Sequence, residues 1–205
     1  MVVTQPLPGG VRAAGLDSSL KTSQQGPVGL DATNLNDPFA LFDLPVRYAL
    51  DRAALESAYR GVQGIVHPDR FATASESDRR VAVQWATAAN EAVRILRDPV
   101  KRAAALCERH GHEIRAESNT AMPAAFLRQQ MAWREALGEA RDAADPAALE
   151  ALRASLEQTR KALSHRLELA IDQQGDWPTA VAAVREWMFV ERFAQDVDTA
   201  EFALG

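Results

Sequence analysis

Residues 52–71 read RAALESAYRGVQGIVHPDRF. Leu55, Tyr59, Val62 and Val66 recur at i, i+4, i+7 and i+11, one face of a helix that begins after Asp51. Pro68 has no N–H and disfavours helical backbone in the residue before it, so that helix must end by His67. His67 and Asp69 are then presented on a stiff turn, with the Arg70 guanidinium beside them as a donor fork suited to a carboxylate. Thr73, with Glu76 three residues on, has the form of a capping box. Beyond it Val81, Trp85, Ala88, Ala92 and Leu96 mark another amphipathic helix. The stretch predicts an antiparallel hairpin whose loop carries His67-Pro68-Asp69.

Working outward, three Asp-Pro pairs (Asp37-Pro38, Asp98-Pro99, Asp145-Pro146) are helix starts. An N-cap Asp accepts a bond from a free N–H, and Pro at the first helical position has none to leave unpaired. Asp176-Trp177-Pro178 is a variant of the same device. They predict a short helix over about 38–43 bearing Phe39 and Phe42, a fourth helix from Pro99 closed by Gly111, and three more. Those cover about 123–143, 146–174 (closed by Gly175) and 177–199. Leu149, Leu152, Leu156, Leu163 and Leu167 give the middle one of the last three a packing stripe. No alternating period-2 run of strand length occurs. The expected fold is all-α: a tail over 1–36, a helical unit over 37–111 built round the hairpin, a polar hinge over 112–121, and an antiparallel three-helix bundle over 122–205.

Composition narrows the function classes. Of 205 residues 47% are hydrophobic and 25% charged, enough apolar content for a core. The single Cys excludes an intrachain disulfide and any site needing two thiolates, which fits a reducing, cytoplasmic setting. No apolar run reaches the roughly 18 residues of a membrane helix, and the N-terminus lacks a secretory signal pattern. The net charge of −5 is concentrated at the C-terminal end, where residues 111–205 hold 10 basic against 16 acidic side chains. Such a chain is a poor wrapper of nucleic acid. Neither a phosphate-cradling P-loop nor GxSxG is present, and no assembled nucleophile–base pair is evident, so no enzyme activity and no cofactor is expected.

The arrangement around the tripeptide resembles the J-domain of DnaJ-type co-chaperones. The matching elements are the Pro-bounded first helix from Asp37-Pro38-Phe39 to Leu44, Ala58-Tyr59-Arg60 leading to Val66, and His67-Pro68-Asp69-Arg70-Phe71. Ala89-Asn90-Glu91-Ala92 and the exit Leu96-Arg97-Asp98-Pro99 complete the pattern. Three further runs narrow the resemblance to the HscB family of iron–sulfur cluster assembly: Val100 to Leu106, His110-Gly111, and Phe126-Leu127 with Arg134-Glu135-Ala136-Leu137. That resemblance implies two partners. The His-Pro-Asp loop would contact a DnaK-type chaperone, HscA, and stimulate its ATP hydrolysis through His67, Pro68 and Asp69, with Arg70 as their neighbour. The C-terminal bundle would bind the cluster scaffold, IscU. Positions matching Leu127, Met131, Glu135, Glu139 and Phe189 resemble the scaffold contacts of the family. The chain departs from the pattern in three ways. Its second helix carries only Arg52 and Arg60 as basic residues, its tail has no Cys, and Arg128 and Ala132 replace an apolar and an acidic residue of the patch.

Periodicity alone leaves alternatives. On helix 123–143, Phe126, Trp133, Leu137 and Ala140 form a core stripe, while Leu127, Met131, Glu135 and Glu139 recur at i+4 on another face. That face is a docking surface, or else the two apolar residues are buried and the two glutamates merely solvated. On the last helix Ala183, Trp187, Val190, Ala194 and Val197 form the seam; Phe189 lies off it, free to dock a partner or to pack. Cys107, His110 and His112 are close in sequence, but a helix end explains them better than a metal centre, with Cys107 a buried thiol. His165 with Glu168 is a lone pair. The competing functions are a helical homodimerising module without chaperone coupling and, more remotely, a His/Asp hydrolase.

Overall fold

In the computed structural model, which describes residues 34–114 and 122–204, each Asp-Pro pair opens a helix. Asp37 accepts from the N–H of Phe39 at 3.0 Å and caps α1 (Pro38–Leu41). Asp51 caps α2 (Arg52–Val66) from Ala53 N–H at 2.8 Å. Asp98 caps α4 (Pro99–Arg109), and Asp145 caps α6 (Pro146–Glu168). Between them lie α3 (Glu76–Arg97) and α5 (Ala124–Asp142). Asp176 accepts from Thr179 N–H and heads α7 (Trp177–Leu204), five residues longer than the pattern predicted. These seven helices, with no strand among the described residues, bear out the all-α expectation. Most of the expected tail (1–33) and residues 115–121 of the expected hinge lie outside the described residues.

One cap was expected elsewhere. The Thr73–Glu76 box does not form; Ser75 is the N-cap of α3, accepting from Asp78 N–H at 3.1 Å. A 3₁₀ turn over Pro68–Phe71 carries the chain on before α3 starts, so the later hydroxyl reaches the helix end. The third residue of the helix is then an acid, which suits the positive end of the helix dipole.

Helices α2 and α3 pair as the hairpin, with α1 laid on α3 through Phe39, Leu41 and Phe42. Helices α6 and α7 form the main pair of the C-terminal half, covered by α5, and the five-leucine stripe of α6 is buried throughout. Each such leucine contributes about 2 kcal/mol of transfer free energy. The α7 seam is wider than expected. Val184, Phe193 and Ala200 are buried too, as is a carboxylate, Glu186, which meets Arg166 at 2.7 Å, whereas Ala194 is only half-buried. Pairing the charge is what makes its burial tolerable.

A single hydrophobic cluster runs from Phe39 to Ala200. The two halves meet where α4 packs on α7. At the end of α6 the chain widens into a π turn (Leu169–Gln174), closed by Gly175 at φ +64°, where a left-handed backbone favours glycine. Asp172, in that turn, accepts the N–H of Tyr48 at 2.7 Å and of Ala49 at 2.8 Å. Tyr48 Oη lies 3.1 Å from Ser164 Oγ, and the Arg102 guanidinium stacks over its ring. Arg185 donates to the carbonyl of Ile114 at 2.6 Å, so the described start of the expected hinge is pinned to α7. Arg109 pairs with Asp37; burial raises that carboxyl's pKa, but the guanidinium and the cap N–H groups outweigh it and hold it below the usual range.

Asp172→Ala orphans two N–H groups in a site where the carboxylate is almost fully enclosed. At about 1–3 kcal/mol for each buried unpaired group, a urea titration should show a loss of about 2–4 kcal/mol, with Asp172→Asn intermediate because one amide oxygen must serve both donors.

Candidate functional site

The hairpin end is built by three local rules. The residue before a proline is pushed out of the helical region, and His67 obeys at φ −59°, ψ 133°. The 3₁₀ turn then closes with Arg70 N–H donating to the His67 carbonyl at 3.0 Å. Within it, His67 Nδ1 accepts the N–H of Asp69 at 3.3 Å. That acceptor role places the neutral ring's proton on Nε2, which has no partner among the described residues. The Asp69 carboxylate comes to 3.5 Å of the same Nδ1, and its side chain is 90% exposed against 54% for His67. The tip therefore offers a donor and an anion side by side in water. Arg70 is exposed as well, but its guanidinium donates to the carbonyl of Gly64 at 3.0 Å, in the last turn of α2.

The stem is stiffened by side chains that the sequence reading did not pair. Asn90 Oδ1 accepts from Tyr59 Oη at 2.7 Å and from Gln63 Nε2 at 2.8 Å. Arg97 forks onto Glu56 at 2.7 and 2.6 Å and also covers the Tyr59 ring. Arg52 and Arg60 are exposed on α2.

The second candidate surface is on α5. Its core stripe of Phe126, Trp133, Leu137 and Ala140 is buried as expected. Leu127 is 44% and Met131 70% exposed, with Glu135 and Glu139 exposed on the same run. Core burial is thus not the fate of the two apolar residues in this chain. Phe189 is only half-buried: it meets Phe126 edge-on at 5.8 Å and lies parallel to Phe193 at 6.3 Å. Arg134, named in the sequence only as part of a matching run, covers the Phe189 ring at 5.6 Å. At 100° per residue, Leu127 lies about 20° and Met131 about 60° round α5 from Arg134. The structure therefore brings Leu127, Met131 and Phe189 to one side of the bundle, with Glu135 and Glu139 curving away from it. Met188, next to Phe189, is also exposed.

The Cys107 neighbourhood is a joint between helices. Cys107 is fully buried, and burial pushes its thiol up to about 11. His110 Nδ1 lies 2.9 Å from the Leu106 carbonyl, and its ring stacks on Trp177 at 3.9 Å. His112 lies near-parallel to the same indole at 6.2 Å. Among the described residues no group of three or more His, Cys, Asp or Glu is disposed to hold a metal ion, and no helix is long and apolar enough to cross a membrane.

The chain is similar to known proteins over most of its length. A family described as the HSCB C-terminal oligomerisation domain matches residues 122–198. The co-chaperone protein HscB homolog of Bordetella pertussis is 56% identical over 166 residues, 81% of this chain and 96% of the relative. That of Burkholderia multivorans is 52% identical over 159 residues, 78% of this chain and 90% of the relative. Among solved structures, chaperone HscB from Vibrio cholerae superposes with a TM-score of 0.75 at 37% identity, covering 82% of this chain and all of that one. The human co-chaperone protein HscB gives 0.75 at 25% identity, covering 80% of this chain and 82% of that chain.

The buried thiol makes stability depend on alkali. Its folded pKa of about 11 lies above the ordinary value of 9.0, so the folded state holds the proton longer. The benefit is complete below pH 9 and is lost as pH rises towards 11, the loss reaching about 2 kcal/mol at the top of the window. Urea midpoints should fall across that range, and less steeply for Cys107→Ala.

Proposed function

The chain belongs to the HscB family of co-chaperones, and from that premise we propose that it stimulates ATP hydrolysis by a DnaK-type chaperone, HscA, and brings to it the iron–sulfur cluster scaffold IscU. It acts as an adaptor in the cytoplasm and supplies no catalytic group of its own. The helices over 37–111 serve as the J-domain, those over 122–205 as the scaffold-binding bundle, and 112–121 as the connection. The observation that supports this most directly is the tip: an imidazole and a carboxylate exposed together on a braced turn, where neither is consumed by the chain's own packing.

The mechanism is a shift of population in the partner. His67, Pro68 and Asp69 bind a hydrolysis-competent state of the chaperone better than its resting state, and only that difference in affinity accelerates hydrolysis; Arg70 is their neighbour in the turn. A differential of about a hundredfold corresponds to about 2.7 kcal/mol, within reach of a few charge-assisted hydrogen bonds. Leu127, Met131 and Phe189 supply apolar contact for the scaffold, and Glu135 and Glu139 add charge that selects a basic complement and speeds encounter. Cluster iron and sulfide are cargo of the scaffold and need no ligands here.

Single-turnover ATP hydrolysis by the chaperone should lose at least tenfold of its stimulation with His67→Gln, a change at an exposed site that leaves the fold intact; equal stimulation by both proteins would remove the loop's role. For the other surface, the Leu127→Ala, Met131→Ala double variant should bind the scaffold at least tenfold more weakly by calorimetry. Adding Phe189→Ala should weaken it further, and undiminished binding by the folded triple variant would reassign the patch.

A further inference from the structure

The end of α2 that carries the tip is intrinsically weak. Gly61 and Gly64 both lie on its exposed side, and a Cβ at either would meet nothing within 4 Å. Packing therefore does not require glycine there, and each lowers helix propensity relative to alanine. The last turn also holds no basic residue to satisfy the final carbonyls. That role is filled from beyond the turn. Arg70 donates from its guanidinium to the Gly64 carbonyl and from its backbone N–H to the His67 carbonyl, each at 3.0 Å. One residue thus closes the loop over His67 and Asp69 from both ends. Its side chain has no other hydrogen bond or ion pair among the described residues.

We propose that Arg70 is a positioning residue, which keeps the end of α2 wound so that His67 and Asp69 stay in register, and that it acts through them rather than by touching the chaperone. The proposal rests on the reading that the tip docks a DnaK-type chaperone. If Arg70 governs the fraction of molecules whose tip is ordered, its loss raises the half-saturating concentration by the inverse of that fraction and leaves maximal stimulation intact. Any substitution that rewinds α2 by other means then repairs the defect. Gly61→Ala is such a change, since its methyl enters open space.

Amide hydrogen exchange in the free full-length chain provides the first arm. Arg70→Ala should speed exchange at residues 64–67, 69 and 70 about fivefold, leave α6 unaltered, and be restored to within about twofold by adding Gly61→Ala. Unchanged exchange in Arg70→Ala overturns the proposal. In the second arm, titration of single-turnover ATP hydrolysis should show a half-saturating concentration about fivefold higher for Arg70→Ala at an unchanged plateau. Arg70→Lys, which keeps one donor, should recover most of it, as should Arg70→Ala with Gly61→Ala, measured against Gly61→Ala alone. A defect that persists in full while exchange is restored means that Arg70 contacts the chaperone directly, and it overturns the proposal. Absence of stimulation by the unaltered chain would instead overturn the chaperone reading, and the exchange arm would still decide the role of Arg70.

Discussion

The carboxylate of Asp172 holds two backbone N–H groups that belong to the other end of the chain, those of Tyr48 and Ala49. The loop it captures joins α1 to α2, so the hairpin and its tip are referenced to the C-terminal helices through this contact. The π turn makes the contact available, because one wider turn at the end of α6 swings Asp172 towards that loop. Around it, Tyr48 on Ser164 of α6, Arg185 of α7 on Ile114 and the His110–Trp177 stack extend the joint over both helices. The hairpin tip and the α5 face are carried on one core, so neither reorients independently of the other without breaking the hydrogen bonds of this joint.

Features set by neighbouring residues were legible in the sequence. Asp-Pro pairs read as caps because cap and missing donor are adjacent in the chain, and the α6 leucines read as core because their spacing matches the helix turn. The exchange of Thr73 for Ser75 shows the limit of that logic: several hydroxyls stood within a few residues, and the 3₁₀ turn decided which met the helix end. The joint was not legible, since Asp172 and Tyr48 lie 124 residues apart and nothing in the periodicity of either segment pairs them. Glu186 hid within an apolar seam because its partner, Arg166, stands on another helix.

The candidate surfaces divide the same way. The tip could be located from Pro68 alone, because a proline's effect on its neighbours is local. The α5 face could be separated from the core stripe by phase, but not its relation to Phe189, which depends on how α5 and α7 cross. There the ring is shared: Phe126 and Phe193 hold it from inside, and Arg134 covers it from outside. An aromatic held by its neighbours on one side loses little freedom when something covers the other, which suits an anchor in an interface.

The stack of His110 on Trp177 gives the molecule an optical gauge. Imidazole in face contact with an indole, above all when protonated, quenches its emission, so Trp177 should be dim while α4 and α7 are packed together. Trp85, Trp133 and Trp187 are enclosed in the core, and among the described residues no histidine stacks on them. Brightening of the emission on adding a partner would therefore signal that α4 had parted from α7, with no label attached.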